Sequence, residues 1–206
     1  AAGTNGQVLT TGGTGANPSW GTVSSDFVKL STGSFSSTSS VNINGLTTYF
    51  GSTPTDYILH KVIFVLTSVS SSLGLRMRMM NADAVNTNSD YNYSSRAFQS
   101  NGSGTEYSNA EATDSWLLNR DGCRNGGDYY HSFDIDIFNL ANNSGDNAYV
   151  QYIARSNFIQ HDATMRVHGN MSHGTFNGNT SRNQNKTGLN FFCTGSDTFT
   201  GNYYIY

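Results

Sequence analysis

Residues 128–140 read DYYHSFDIDIFNL and alternate with a period of two. Tyr129, His131, Phe133, Ile135 and Ile137 fall on one side, and Tyr130, Ser132, Asp134, Asp136 and Phe138 on the other. Successive side chains of a strand point to opposite faces, so the pattern is that of a strand with an apolar face on a core and a mixed face toward water. A helix does not fit, because Asp134 and Asp136 would interrupt its apolar stripe.

The neighbouring segments read the same way. In residues 56–70, DYILHKVIFVLTSVS, Tyr57, Leu59, Lys61, Ile63, Val65, Thr67 and Val69 share one face. Ile58, His60, Val62, Phe64 and Leu66 share the other. A strand apolar on both faces is expected to be central, either covered on both sides or packed against a second subunit. Residues 73–81, LGLRMRMMN, set Leu75, Met77 and Met79 against Arg76, Arg78 and Met80. They are expected to pair with the preceding strand as a hairpin. Arg76 and Arg78 then form either a solvated face or a contact for an acidic partner. Residues 27–50 hold two short strands before an Asn44-Gly45 turn, and residues 90–99 hold another with Tyr91 and Tyr93 on one face. Four more runs lie at 147–158, 163–176, 188–194 and 198–206, separated by Asn- and Gly-rich turns at 142–145, Asn177-Gly178 and Gly195-Ser196-Asp197. Eight to ten strands without an amphipathic helix imply an all-β fold, an antiparallel β-sandwich, and more narrowly a jelly roll. Residues 100–127 are long and polar, so they are either a functional loop or conceal a short element. Within them Trp116-Leu117-Leu118 folds back onto the core or, if exposed, offers a binding platform.

Only 12% of the 206 residues are charged, and Ser, Thr, Asn and Gly carry solubility instead. That is about half the usual charged share and suits an extracellular or virion surface. A net charge of −3 argues against nucleic acid as a partner, which would want clustered Lys and Arg. No apolar run is long enough for a membrane helix, so no membrane insertion is expected. No signal peptide is visible, and a chain beginning Ala1-Ala2-Gly3 without Met reads as a processed or truncated product, or as part of something longer. Cys123 and Cys193 are either two free thiols or one disulfide, and no spacing supports a zinc site.

Reactive constellations are sparse. Asp134 and Asp136 lie two apart on one strand face, where paired carboxylates serve glycoside cleavage, a Ca²⁺ site or simply solubility. His161-Asp162, His168 and His173 fall in one region, but His168 and His173 are five apart and sit on opposite faces of a regular strand. His131 belongs to the apolar face, as a hydrogen-bonded core histidine. No nucleophile elbow, phosphate loop, HExxH or EF-hand loop is present. No catalytic residue, metal site or cofactor is therefore expected. For a sugar ligand the stacking and hydrogen-bonding candidates are Tyr91, Tyr93, Arg96 and Trp116.

Residues 1–26 are dominated by Gly, Thr, Ser and Asn, and cannot make a core alone. They are expected to form an extended arm ahead of a head domain at 27–206. Within the arm the run GTNGQVLTTGGTGANPSWGTV, residues 3–23, resembles a segment common in bacteriophage tail fibres and related virion appendages. The resemblance is carried by Gly3, Gly6, Gln7, Val8, Leu9, Gly12, Gly13, Gly15, Pro18 and Trp20, about a tenth of the chain. The later residues resemble the β-rich distal domains of marine and cyanobacterial phage fibres through strand pattern alone.

The resemblance implies a non-enzymatic virion structural protein. Its head would project from the particle as a homotrimer and attach to the host surface through glycan or another receptor. Gln7, Val8, Leu9, Pro18 and Trp20 would dock the arm onto other virion proteins. A capsid-fibre, decoration or cement protein is the second reading, and a glycan-degrading fibre enzyme the third. A secreted lectin outside any virus is a fourth, which the arm disfavours.

Overall fold

The fold is that of a computed structural model, which describes residues 3–5, 7–22, 28–46, 59–71, 74–99, 105–119, 123, 130–140, 149–159, 167–176, 186–193 and 195–206. Tyr57, Ile58, Tyr129, His161, Asp162 and the turns at 142–145 and Asn177-Gly178 lie outside the described residues. Chain order runs β1 (Gln7–Thr10), β2 (Ser19–Thr22), β3 (Ser31–Thr38), β4 (Ser40–Ile43), β5 (Leu59–Val69), β6 (Leu75–Asn81), β7 (Ala84–Val85) and β8 (Tyr91–Gln99). It continues with β9 (Thr105–Thr113), β10 (Trp116–Leu117), β11 (His131–Phe138), β12 (Val150–Ile159), β13 (Val167–Phe176), β14 (Lys186–Cys193) and β15 (Phe199–Ile205). The protein is all-β, with two antiparallel sheets packed as a sandwich. The larger sheet has the order β3-β15-β5-β11-β12-β13-β8-β9, and the smaller β10-β6-β14-β4 with β7 on β6.

Eight of these strands trace one folded ribbon. β3 pairs with β15, β4 with β14, β5 with β11 and β6 with β10, and successive pairs lie in alternate sheets. The ribbon closes on itself where β15 also pairs with β5 and β14 with β6. β8, β9, β12 and β13 are additions to this ribbon, and they continue the larger sheet beyond β11.

The alternation in β11 does what its sequence implies. His131, Phe133, Ile135 and Ile137 are buried, while Ser132, Asp134, Asp136 and Phe138 face outward. The strand is central, between β5 and β12. β5 is central too, as its two apolar faces require, with His60, Val62, Phe64 and Leu66 inward. Its expected phase fails at the end. Val69 is buried rather than sharing the outer face with Val65, because Thr67 is an extra residue in the ladder between Leu66↔Gly201 and Ser68↔Thr200. One bulged residue moves every later side chain to the opposite face. Gly201 permits the kink, since a Cβ there would lie 2.0 Å from the Val65 carbonyl oxygen.

The core forms where the sheets meet. The Phe64 ring of the larger sheet stacks on Phe191 of the smaller with centroids 4.4 Å apart, and Phe35 stacks on the other side of Phe64 at 5.0 Å. A second aromatic cluster surrounds the fully buried Trp116, with Tyr152 at 4.6 Å and Tyr91 at 5.1 Å. Residues 115–119 cross the inner face of the added strands. That face is unusually polar, and its side chains meet the backbone of the crossing segment. Ser172 Oγ donates to Leu117 O at 2.7 Å, Asn170 Nδ2 to Leu118 O at 2.8 Å, and Trp116 Nε1 to Thr175 O at 3.1 Å. Buried carbonyls must be hydrogen-bonded, so the Ser and Asn residues of β13 are the condition for packing this segment there.

One expectation is corrected. β6 is not the hairpin partner of β5: the chain changes sheets after β5, and β6 pairs with β14, β10 and β7. Of the two alternatives for residues 100–127 the concealed element is the one found, since they contain β9 and β10. β9 reads TEYSNAEAT, too polar to show apolar alternation, and lies at the edge of the sheet.

Two stability predictions follow from the packing. Truncating Phe64→Ala removes the ring on which Phe35 and Phe191 stack, and is expected to cost about 3–5 kcal/mol in urea unfolding. The second concerns Lys186, which is only 2% exposed and whose ammonium is depressed by burial to about 8. The unfolded chain therefore holds more protons between pH 8 and 10.5, and this residue makes stability rise with pH across that window. Burial raises the Cys123 thiol and the Tyr91 and Tyr152 hydroxyls, which act in the opposite sense at alkaline pH. Comparison with Lys186→Met isolates the lysine. From pH 7.5 to 10 the wild type should gain on the variant by on the order of 1–3 kcal/mol. A difference that stays constant with pH would refute the depressed ammonium.

Candidate functional site

Beyond β11 the outer face of the larger sheet carries a groove. Partners across a ladder share a face, so the register builds its two walls. One row runs Asn109–Ser94–His173–Ile153 and the other Asn92–Thr175–Gln151–Phe138. Between them lie Ala110, Tyr93, Gly174 and Tyr152, of which Tyr152 is buried and Tyr93 packs against the core. Two adjoining hollows of about 470 and 320 Å³ occupy this space and share His173, Gly174 and Thr175. Gly174 is required by close approach: a Cβ would sit 2.1 Å from Asn92 O and 2.8 Å from the Tyr152 ring. An irregularity between β8 and β9, opposite Tyr91–Tyr93, brings Glu111 to the rim.

The groove is therefore lined by amides, hydroxyls, one imidazole, one carboxylate and a few apolar groups. Such a surface hydrogen-bonds a polar ligand. It holds neither a pair of facing carboxylates nor a thiol. Among the described residues no three His, Cys, Asp or Glu side chains are grouped to hold a metal ion.

The four sugar-binding candidates separate. Tyr93 lines the groove. Arg96 is exposed three residues along the same strand, on the face of Ser94, with its guanidinium 5.8 Å from the Phe98 ring centroid. Tyr91 and Trp116 are corrected to core residues, both 0% exposed. Tyr91 Oη receives a hydrogen bond from Met79 N and donates one to Asn86 O, each at 3.0 Å, so the hydroxyl that suggested ligand binding fastens β8 to the smaller sheet. Asn109, Glu111, Thr175 and Gln151 escaped the sequence reading. No motif marks them, because the groove exists only once β9, β8, β13 and β12 lie side by side.

The acidic pair and the basic pair are each engaged by other residues of the chain. Lys61 Nζ bonds Asp134 Oδ1 and lies 3.0 Å from Asp136 Oδ1, and Arg155 Nη1 lies 3.1 Å from Asp136 Oδ2. On the smaller sheet Arg78 bonds Asp114 and stacks 4.0 Å above the Phe192 ring, while Arg76 Nη1 donates to Ser115 Oγ at 3.1 Å. These arginines hold the 114–115 turn. Cys123 and Cys193 are free thiols, both buried.

The arm is a hairpin rather than a single extended strand. β1 and β2 pair antiparallel, and Gly13 and Gly15, at φ +97° and +87°, lie in the loop that joins them. Gln7 Oε1 accepts the Thr4 N–H at 2.9 Å, so this docking candidate closes its own turn. Leu9 and Trp20 are cross-strand partners, 58% and 43% exposed, and Val8 is 42% exposed on the other face. The Trp20 ring lies over Gly3, where a Cβ would come within 2.6 Å. Pro18 is exposed beside Ser19.

Comparison with known protein families, with curated proteins and with solved structures finds no match.

The ion-pair network yields a prediction. Burial alone would lower the Lys61 ammonium, but its hydrogen bonds and attraction to Asp134 and Asp136 raise it overall. Its stabilisation is thus present at neutral pH and lost only as pH climbs above 10.5. Lys61→Met leaves two neighbouring carboxylates to one arginine and should cost about 1 kcal/mol at low salt, less at 1 M NaCl, by urea unfolding.

Proposed function

We propose that this chain is a non-enzymatic structural protein of a bacteriophage virion, a fibre head that projects from the particle and attaches to the host surface. The observation that carries the reading is the combination of a two-sheet β head with a hairpin arm whose Leu9 and Trp20 are exposed side by side. A two-stranded hairpin is marginal in water by itself, and an exposed apolar pair on it is a docking surface for another protein. The arm then seats the head on other virion proteins, with Gly3 of its fibre-like motif lying under Trp20 and Gly13 and Gly15 shaping the loop.

The path of the head supports a jelly roll. An antiparallel ribbon whose strands pair first with eighth, second with seventh, third with sixth and fourth with fifth, folded into two sheets, is two nested Greek keys. We take the assembly to be a homotrimer, located at the particle surface.

Light scattering coupled to size exclusion tests the assembly. The expected mass is three times 22.3 kDa, independent of protein concentration in the micromolar range. A monomer would overturn the self-assembling head.

A further inference from the structure

We propose that the groove across β9, β8, β13, β12 and β11 binds an uncharged, hydroxyl-rich oligosaccharide laid across the strands. The inference rests on the reading of the head as an attachment domain and adds to it a place and a ligand class.

Length comes first. Five neighbouring strands about 4.8 Å apart give a track of about 19 Å, long enough for a chain of several sugars rather than a single ring. The lining comes second. Asn92, Asn109 and Gln151 each bring an amide that donates and accepts, and Ser94 and Thr175 bring hydroxyls that do both. A sugar hydroxyl is itself donor and acceptor, so this set matches it wherever it falls along the track. At the β12–β11 end Ile153 and Phe138 add an apolar surface suited to the C–H face of a ring.

Charge decides the class. Glu111 is the one carboxylate of the lining, and no Lys or Arg joins it among the described residues. Asp136, next in register after Ile153, is already held by Lys61 and Arg155. A uronate, sialylated or sulfated chain would meet Glu111 inside the lining, whereas the nearest arginine, Arg96, stands one pleat beyond Ser94 and outside it, which disfavours such ligands. The same argument disfavours a nucleic acid strand.

The test uses the full chain and a panel of immobilised neutral hexasaccharides (gluco-, manno-, galacto- and N-acetylglucosamine series), with polyuronate and sulfated hexasaccharides alongside. Ser94→Trp fills the groove from an outward position, and Ser34→Trp places the same bulk on β3 at the far edge of the same sheet. We expect binding to at least one neutral series, a loss of at least tenfold in Ser94→Trp, and less than a twofold change in Ser34→Trp. Glu111→Gln should raise affinity for the polyuronate without weakening the neutral ligand. Neutral binding untouched by Ser94→Trp would overturn the location. Binding of acidic chains alone would overturn the class. A chain that has the trimer mass but binds no saccharide would overturn this inference and leave the assembled head standing. A monomeric chain that binds neutral sugar through the groove would do the reverse.

Discussion

The stack of Phe64 on Phe191 is where the two sheets become one protein. Neither sheet can hide its inner face alone, and the two rings lie on central strands, β5 and β14. Around them Phe35, Phe199, Val62, Leu189 and Ile205 extend the apolar core. The central strands carry this load because they pair on both sides. β5 holds β15 and β11, and β14 holds β6 and β4. A change at Phe64 is therefore felt across both sheets at once.

The added strands solve a different problem. β12, β13, β8 and β9 extend the larger sheet past the edge of the smaller one, so their inner face needs another cover. Residues 115–119 supply part of it. The cover is the two-residue edge strand β10 with its flanking residues, whose outer backbone groups must be satisfied, and the strands beneath it use Ser95, Asn170 and Ser172 where a strand in the main core uses Phe or Ile. Trp116 provides the apolar mass that those polar residues lack. The outer face of the same extension is then free to be concave and polar. The groove thus follows from lengthening a sheet beyond the main core: one face is stitched to its own chain and the other faces solvent.

Legibility varied with the kind of strand. β11 and β5 were readable because central strands over a core must alternate, and their residues do. β9 was not, because an edge strand facing water on much of its surface can be Thr, Glu, Ser and Asn throughout without penalty. The face of Val69 was hidden by a bulge that leaves no mark in local composition. Tyr91 was misplaced at the surface for a related reason, and Trp116 stayed open between core and platform. An amphipathic aromatic serves equally as a ligand platform or as a core residue with a satisfied polar tip, and the tip's partner is far along the chain.

By itself the sequence determined the class of the fold and the inward faces of its central strands. These are local matters of period, propensity and turn chemistry, written in contiguous residues. Only the tertiary structure decided which strands pair, that β5 and β6 belong to different sheets, and that the arm is a hairpin. It also brought Asn109, Ser94 and His173 into one row. Those facts depend on contacts between residues far apart in the chain, such as Thr32 with Tyr203, 171 positions away, and closing such loops is rewarded only by burial of the whole core.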